Sequence, residues 1–295
     1  MFHKSDEAIH SLSVGEFEKA KSLYSVLLDK DPDDLDNISG YFVASFWDNR
    51  LDLVLRTREG KERGKLLLEY FSVFELESKK RNIQQTIAYS TGLRCILEEA
   101  SSHLKLAYRW EGANALDTDS LTELAICLIK IGDYKTALEI LPFSEGGSRI
   151  SPHIQFYLAE AYCMVGREKE GKEIYLSAFL EDPGLFPYEL VSYPPLRALI
   201  DEAKSTVKEE EICEYVPVLA WKKKLFLSEK MASPEEVKVW QKELNRLQEA
   251  RKRGSGNEFK VRCRMEQYAF AIIEKAPQNL FRDAILQAKN ILSEF

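Results

Sequence analysis

The sequence predicts an all-α protein in which helix–turn–helix units stack into a solenoid. Three observations carry this expectation. Apolar residues recur at helical spacing, and the period-two alternation of strands is missing. Glycines expected at two helix–helix turns, Gly132 and Gly166, stand 34 residues apart, one period of a common α-helical repeat. Prolines fall where helices should start or stop, as in Ser151-Pro152, Asp31-Pro32 and Ser233-Pro234.

The first unit covers 1–34: Ala8 in its first helix, Gly15 at the turn, Phe17 after it, then Ala20, Tyr24 and Leu27 before Pro32. Residues 35–117 read as helical but carry no clean repeat. There Asn37 to Trp47 is expected to be helical, Arg56 to Arg63 a loop, and Leu66–Leu76 a helix buried on every side. Asn82 to Trp110 reads as one long helix, with Thr91-Gly92 as its only expected interruption. Residues 118–150 return to the pattern, with Leu121, Leu124 and Ala125 before Gly132, and Ala137 and Leu141 after it; Pro142 and Gly146-Gly147 should shorten the second helix. The unit 151–183 is the clearest, with Ser151 as N-cap, Pro152 at the first helical position and Gly166 at the turn. A capping helix is expected within 187–205, with Leu196, Leu199, Ile200 and Ala203 as its apolar stripe, because the last unit of a stack must cover its inner face.

Residues 206–295 read as a separate helical module. Lys and Arg number 17 there against 14 Asp and Glu, a net charge of +3, which leaves −10 for residues 1–205 out of the total of −7. Pro217 should kink or break the first helix of this module. The helix opening at Ser233 should present Val237, Trp240, Leu244 and Leu247 and end at Arg251-Lys252-Arg253; helices from Glu258 to Ala276 and from Asn279 to Phe295 close the chain.

The residues of 151–183 resemble the tetratricopeptide repeat family: Leu158, Ala159 and Tyr162 in the first helix, Gly166 at the turn, Tyr175 and Ala178 in the second, and the closing Pro183. The resemblance extends to 1–34 and 118–150, roughly a third of the chain in all. It implies a right-handed superhelix whose concave face, lined by the first helix of each unit, binds a peptide or helix of a partner. On that face it places Ser5 and Ile9, then Thr122, Ile126 and Lys130, then Phe156, Glu160 and Met164. One subgroup of the family clamps a chaperone's C-terminal carboxylate with Lys, Asn and Arg. Here Ser5, Ile9, Glu123, His153 and Tyr157 stand at the matching places and cannot supply bidentate cationic donors. Phe156, Tyr157 and Leu158 are adjacent and large, so one of them, Phe156, is expected to point outward and form an apolar strip with Met164, Ile126 and Ile9.

The chemistry of catalysis is not legible. The four histidines are scattered, no Cys-x-x-Cys or phosphate-cradling glycine loop occurs, and no metal or cofactor is expected. The five cysteines are dispersed among apolar residues, as reduced core thiols would be. No run of ~18 apolar residues is present, so no membrane insertion is expected. With no apolar leader after Met1, the expected location is cytoplasmic. The leading expectation is therefore a non-enzymatic adaptor or scaffold for a protein partner. One alternative is a regulator or enzyme with its site in the middle or C-terminal helices. The other is a nucleic-acid-associated factor using Lys222-Lys223-Lys224 and Arg251-Lys252-Arg253, although nucleic acid is not the expected partner of so acidic a chain.

Overall fold

Gly15, Gly132 and Gly166 all take a positive φ, between 77° and 88°, which a side chain would resist. At each, the glycine N–H bonds back three residues and the next N–H bonds back five: Gly166 to Cys163 and Arg167 to Tyr162, Gly132 to Ile129 and Asp133 to Leu128, Gly15 to Leu12 and Glu16 to Ser11. This is the paired bonding that closes a helix through a left-handed residue. It makes three helical hairpins at the positions the sequence predicts.

The computed structural model describes residues 2–111, 118–141, 150–226, 230–254 and 256–295. Among them are fourteen α-helices and no strand, so the all-α expectation holds. The chain divides into two units, 1–148 and 149–295. The division does not coincide with the charge step near residue 205.

The first unit contains α1 (Phe2–Ser13), α2 (Phe17–Leu28), α3 (Leu35–Arg56), α4 (Lys61–Lys80), α5 (Ile87–Glu111), α6 (Thr118–Ile131) and α7 (Tyr134–Ile140). The stretch without a repeat is α3, α4 and α5, of 22, 20 and 25 residues, each longer than a 34-residue helical hairpin can hold. α5 runs unbroken through Gly92 and packs against α1, α3, α4 and α6. Trp47, Phe74 and Tyr89 meet in the core of this unit, with ring centroids 5.5 Å and 5.4 Å apart. α4 is not buried all round: Leu67, Phe71 and Phe74 face the core, while Val73 and Leu76 are exposed. Its apolar run is interrupted only by Glu69, Ser72 and Glu75, but a helix turns part of any such run outward. The expected shortening of α7 by Pro142 and Gly146-Gly147 falls on residues outside those described.

The second unit contains α8 (Pro152–Met164), α9 (Glu168–Glu181), α10 (Pro194–Thr206), α11 (Ile212–Lys222), α12 (Pro234–Lys252), α13 (Glu258–Lys275) and α14 (Arg282–Leu292). α10 buries Leu196, Leu199, Ile200 and Ala203, the predicted stripe. The core under this stripe extends to the C-terminal helices: one cluster joins Phe156 and Phe179 to Leu196, Trp221, Tyr268 and Ile291. Residues 206–295 therefore share the core of 151–205 and do not build their own. α13 is the central helix, in contact with α9, α11, α12 and α14. Pro217 does not break α11; it is buried within a continuous helix. Its ring withholds one backbone donor, and the apolar residues on both sides, Val216 and Val218, hold the helix in the core.

Candidate functional site

Most of the residues expected on a concave face are spent on packing or pairing. Phe156 is 1% exposed, its ring 4.9 Å from Phe179 and 5.1 Å from Phe186. Tyr157 and Leu158 are buried as well. All three adjacent large residues are thus buried, and none of them forms an outward apolar strip. Glu160 is buried, and its carboxylate accepts Ser192 N–H at 2.6 Å, Tyr193 N–H at 3.0 Å and Tyr175 O–H at 2.6 Å. It fixes the entry to α10 and presents nothing to a partner. Lys130 pairs with Glu75 at 2.8 Å and lies 4.8 Å from the Phe71 ring centre. Met164 is half-buried and packs against the second core, and Ile9 does so against the first. Ile126 is half-buried on α6.

A concavity among the described residues of the second unit lies between α9 and α12, over α13. α9 stops at Glu181 because Pro183 comes two residues later, and Asp182 is already extended. The carbonyls this leaves are met from α13. Arg264 donates to Phe179 O at 2.5 Å and to Leu180 O at 2.7 Å, and Tyr268 O–H donates to Leu180 O at 2.7 Å. The opposite wall begins with the predicted cap: Ser233 Oγ accepts Glu236 N–H, and the Glu236 carboxylate accepts Ser233 N–H. Ala232 N–H donates to Lys275 O at 2.9 Å, tying the stretch of chain before α12 to the end of α13.

The result is a cleft of about 580 Å³, within the range of binding sites. Leu176, Met231, Val239, Trp240 and Tyr268 give it apolar lining; Val239 is 59% exposed and Met231 49%. Glu173 and Glu181 stand on one wall and Glu235, Glu236 and Glu243 on the other. Sequence reasoning placed Trp240 on the packed face of α12 and passed over Val239. The signal available was that Val239 is a β-branched apolar residue off the stripe Val237–Trp240–Leu244–Leu247, on a side of α12 that is otherwise charged.

The remaining candidates are accounted for by structure. All five cysteines are free, and burial raises their thiols to about 11 for Cys95 and Cys213 and about 12 for Cys127, Cys163 and Cys263, far from nucleophilic. His103 is held between Gly60 N–H and Glu99. Among the described residues no group of three or more His, Cys, Asp and Glu could hold a metal, and no helix is long and apolar enough to cross a membrane. The basic runs are partly neutralised: Lys222 pairs with Glu266, Lys223 with Glu202, Arg251 with Glu294 and Lys252 with Glu249. No protein-family model matches the chain, and no curated protein or solved structure matches it.

Proposed function

We propose that the protein is a non-enzymatic adaptor that holds a short segment of a partner protein in the cleft between α9 and α12. The observation that carries this is the pairing of exposed apolar side chains, Val239 and Met231, with a floor locked by Arg264 and Tyr268. A preorganised apolar recess loses little conformational entropy when a ligand enters it. The three hairpins with one shared turn support kinship with the tetratricopeptide repeat family, whose members bind peptide segments. In this reading the binding surface is the cleft and not the face carrying Phe156 and Glu160.

The test places a photoreactive benzophenone amino acid at position 239 of the full chain, and at exposed position 286 on α14 as control. Irradiation in the native host should give one discrete cross-linked protein at 239 and not at 286. The same bands at both positions, or none at 239, would end the reading.

A further inference from the structure

Glu214 of α11 is buried, and its Oε2 meets neither solvent nor a hydrogen-bond partner among the described residues. Its main chain belongs to a run of contacts that ends on the cleft. Gln267 Nε2 donates to Glu214 O at 3.1 Å, and Arg264 Nη1 donates to Gln267 Oε1 at 3.1 Å. The same guanidinium holds Phe179 O and Leu180 O, at the end of the α9 wall. One arginine thus joins α11, α13 and the end of α9. The groups around the Glu214 carboxyl are unequal. Arg264 and Lys260 of α13 favour its ionised form, while Asp182, just before the turn Pro183–Leu185 that packs on α11, opposes it. The thiols of Cys213 and Cys263 also sense its charge. α10 turns Leu196, Leu199, Ile200 and Ala203 inward; its Asp201, Glu202 and Lys204 are exposed, and Arg197 pairs with Asp201. Before α11, Glu209 and Glu210 are exposed, and the Glu211 carboxylate accepts Lys208 N–H. Burial outweighs the two cations and holds the Glu214 carboxyl above the usual carboxylate range.

We infer that Glu214 is a proton-operated latch on the α9 wall: neutral, it leaves Arg264 on the carbonyls of α9; ionised, it draws the guanidinium to itself and frees the last turn of that helix. A buried carboxylate does not stay charged without a partner. Arg264 is the cation already tied to the same contacts. A guanidinium–carboxylate pair outcompetes guanidinium–carbonyl bonds, because both members are charged and the geometry can be bidentate. The direction follows from the raised folded pKa. The proton is retained at low pH, where the clamp on α9 is complete, and the clamp is lost as pH rises through the folded value. Tyr268 O–H still donates to Leu180 O when Arg264 leaves, so the wall loosens and does not detach. The latch acts on the wall whatever the cleft holds, and does not depend on segment binding.

Amide hydrogen exchange of the full chain tests this from about pH 4.5 to about pH 8.5. Rates are expressed as protection factors, so that the intrinsic pH dependence of exchange cancels. The reporting bond is Asp182 N–H to Ala178 O, 2.9 Å long at the end of α9; the reference is Val165 N–H to Ala161 O at the end of α8. In the wild type, protection of Asp182 relative to Val165 should fall at least about five-fold as pH rises. Glu214→Gln keeps the shape and cannot ionise, so its ratio should stay at the wild-type low-pH value throughout. Arg264→Met should give a low ratio at every pH. In the wild type, the Arg264 Nε resonance should shift with the same midpoint as the α9 ratio.

A wild-type ratio that does not change with pH overturns the latch, and that reading needs no variant. The same pH dependence in Glu214→Gln also overturns it, because another group would then be titrating. A flat Arg264 resonance while α9 loosens overturns it as well, since Lys260 or water would be taking the charge in place of the guanidinium. Should Glu214→Gln fail to fold, the shared or separate midpoints of Arg264 and α9 in the wild type decide alone.

Discussion

A methyl group on Gly40 of α3 would lie 2.1 Å from the Tyr24 ring of α2, closer than any real contact. Tyr24 is itself buried, so the ring has no room to swing away. Gly40→Ala should therefore destabilise the first unit by about 1–3 kcal/mol, read as a lower melting temperature with unchanged helix content at low temperature. A wild-type melt would mean that the two helices are not so close. Charge burial gives a second residue-scale expectation. Burial raises the carboxyl of Glu214 against the opposing pull of Arg264 and Lys260, and raises that of Glu160 against its three hydrogen bonds. A carboxyl with a raised folded pKa holds its proton more tightly when folded. Its contribution is greatest below the unfolded pKa, about 4.3, and is lost as pH rises through the folded value. Glu214 Oε2 has no hydrogen-bond partner. Glu214→Gln should thus lose less thermal stability than wild type does as pH rises from about 4.5 to about 7; parallel curves would refute this. Neither contact was legible beforehand. A sequence shows that Phe156 and Glu160 lie on a helix, but not that Phe186 and Ser192, some 30 residues on, close over them.

Element boundaries were the most legible level, because they are set by local chemistry. Ser233-Pro234-Glu235-Glu236 starts α12 through its own side chains, and Gly166 ends α8 through its own backbone. Pro217 misled for the same reason: its local effect is to break a helix, and the core on both sides of α11 overrides it. The C-terminus of α9 shows the reverse dependence. Its last carbonyls are satisfied by no local residue but by Arg264 and Tyr268 of α13. Arg264→Met keeps the packing length and removes the donors. It should cost about 2–3 kcal/mol and speed amide exchange in the last turn of α9 more than in α8. Equal protection of the two helices would show that water replaces the guanidinium without loss.

At the scale of the molecule, charge and periodicity suggested a break near residue 205, and the core places it between 148 and 149. Net charge is a surface property, and it stepped where no core ended. Phe179 and Leu196 share one cluster with Trp221 and Tyr268. A fragment of residues 149–295 should fold alone with a single cooperative melt. A fragment ending at 205 should bind hydrophobic dyes or aggregate, because its second unit lacks α11 and α13. A soluble, dye-silent 1–205 with a sharp melt would restore a boundary at 205. The class of the fold was readable from spacing alone; the cleft was not, since its walls come from helices separated by some 50 residues whose meeting is decided by α13.

The bond from Arg264 to Leu180 spans 84 residues, and this gives the protein a history as well as a shape. A ribosome adding about 5–20 residues per second needs roughly 4–17 s to make the arginine after the leucine. During that interval α8 and α9 have emerged with Phe156, Phe179 and the last carbonyls of α9 uncovered. The second unit can therefore complete its core only after Arg264 has been made. A slowly translated stretch between residues 182 and 264 would lengthen that exposure without changing a single amino acid of the product.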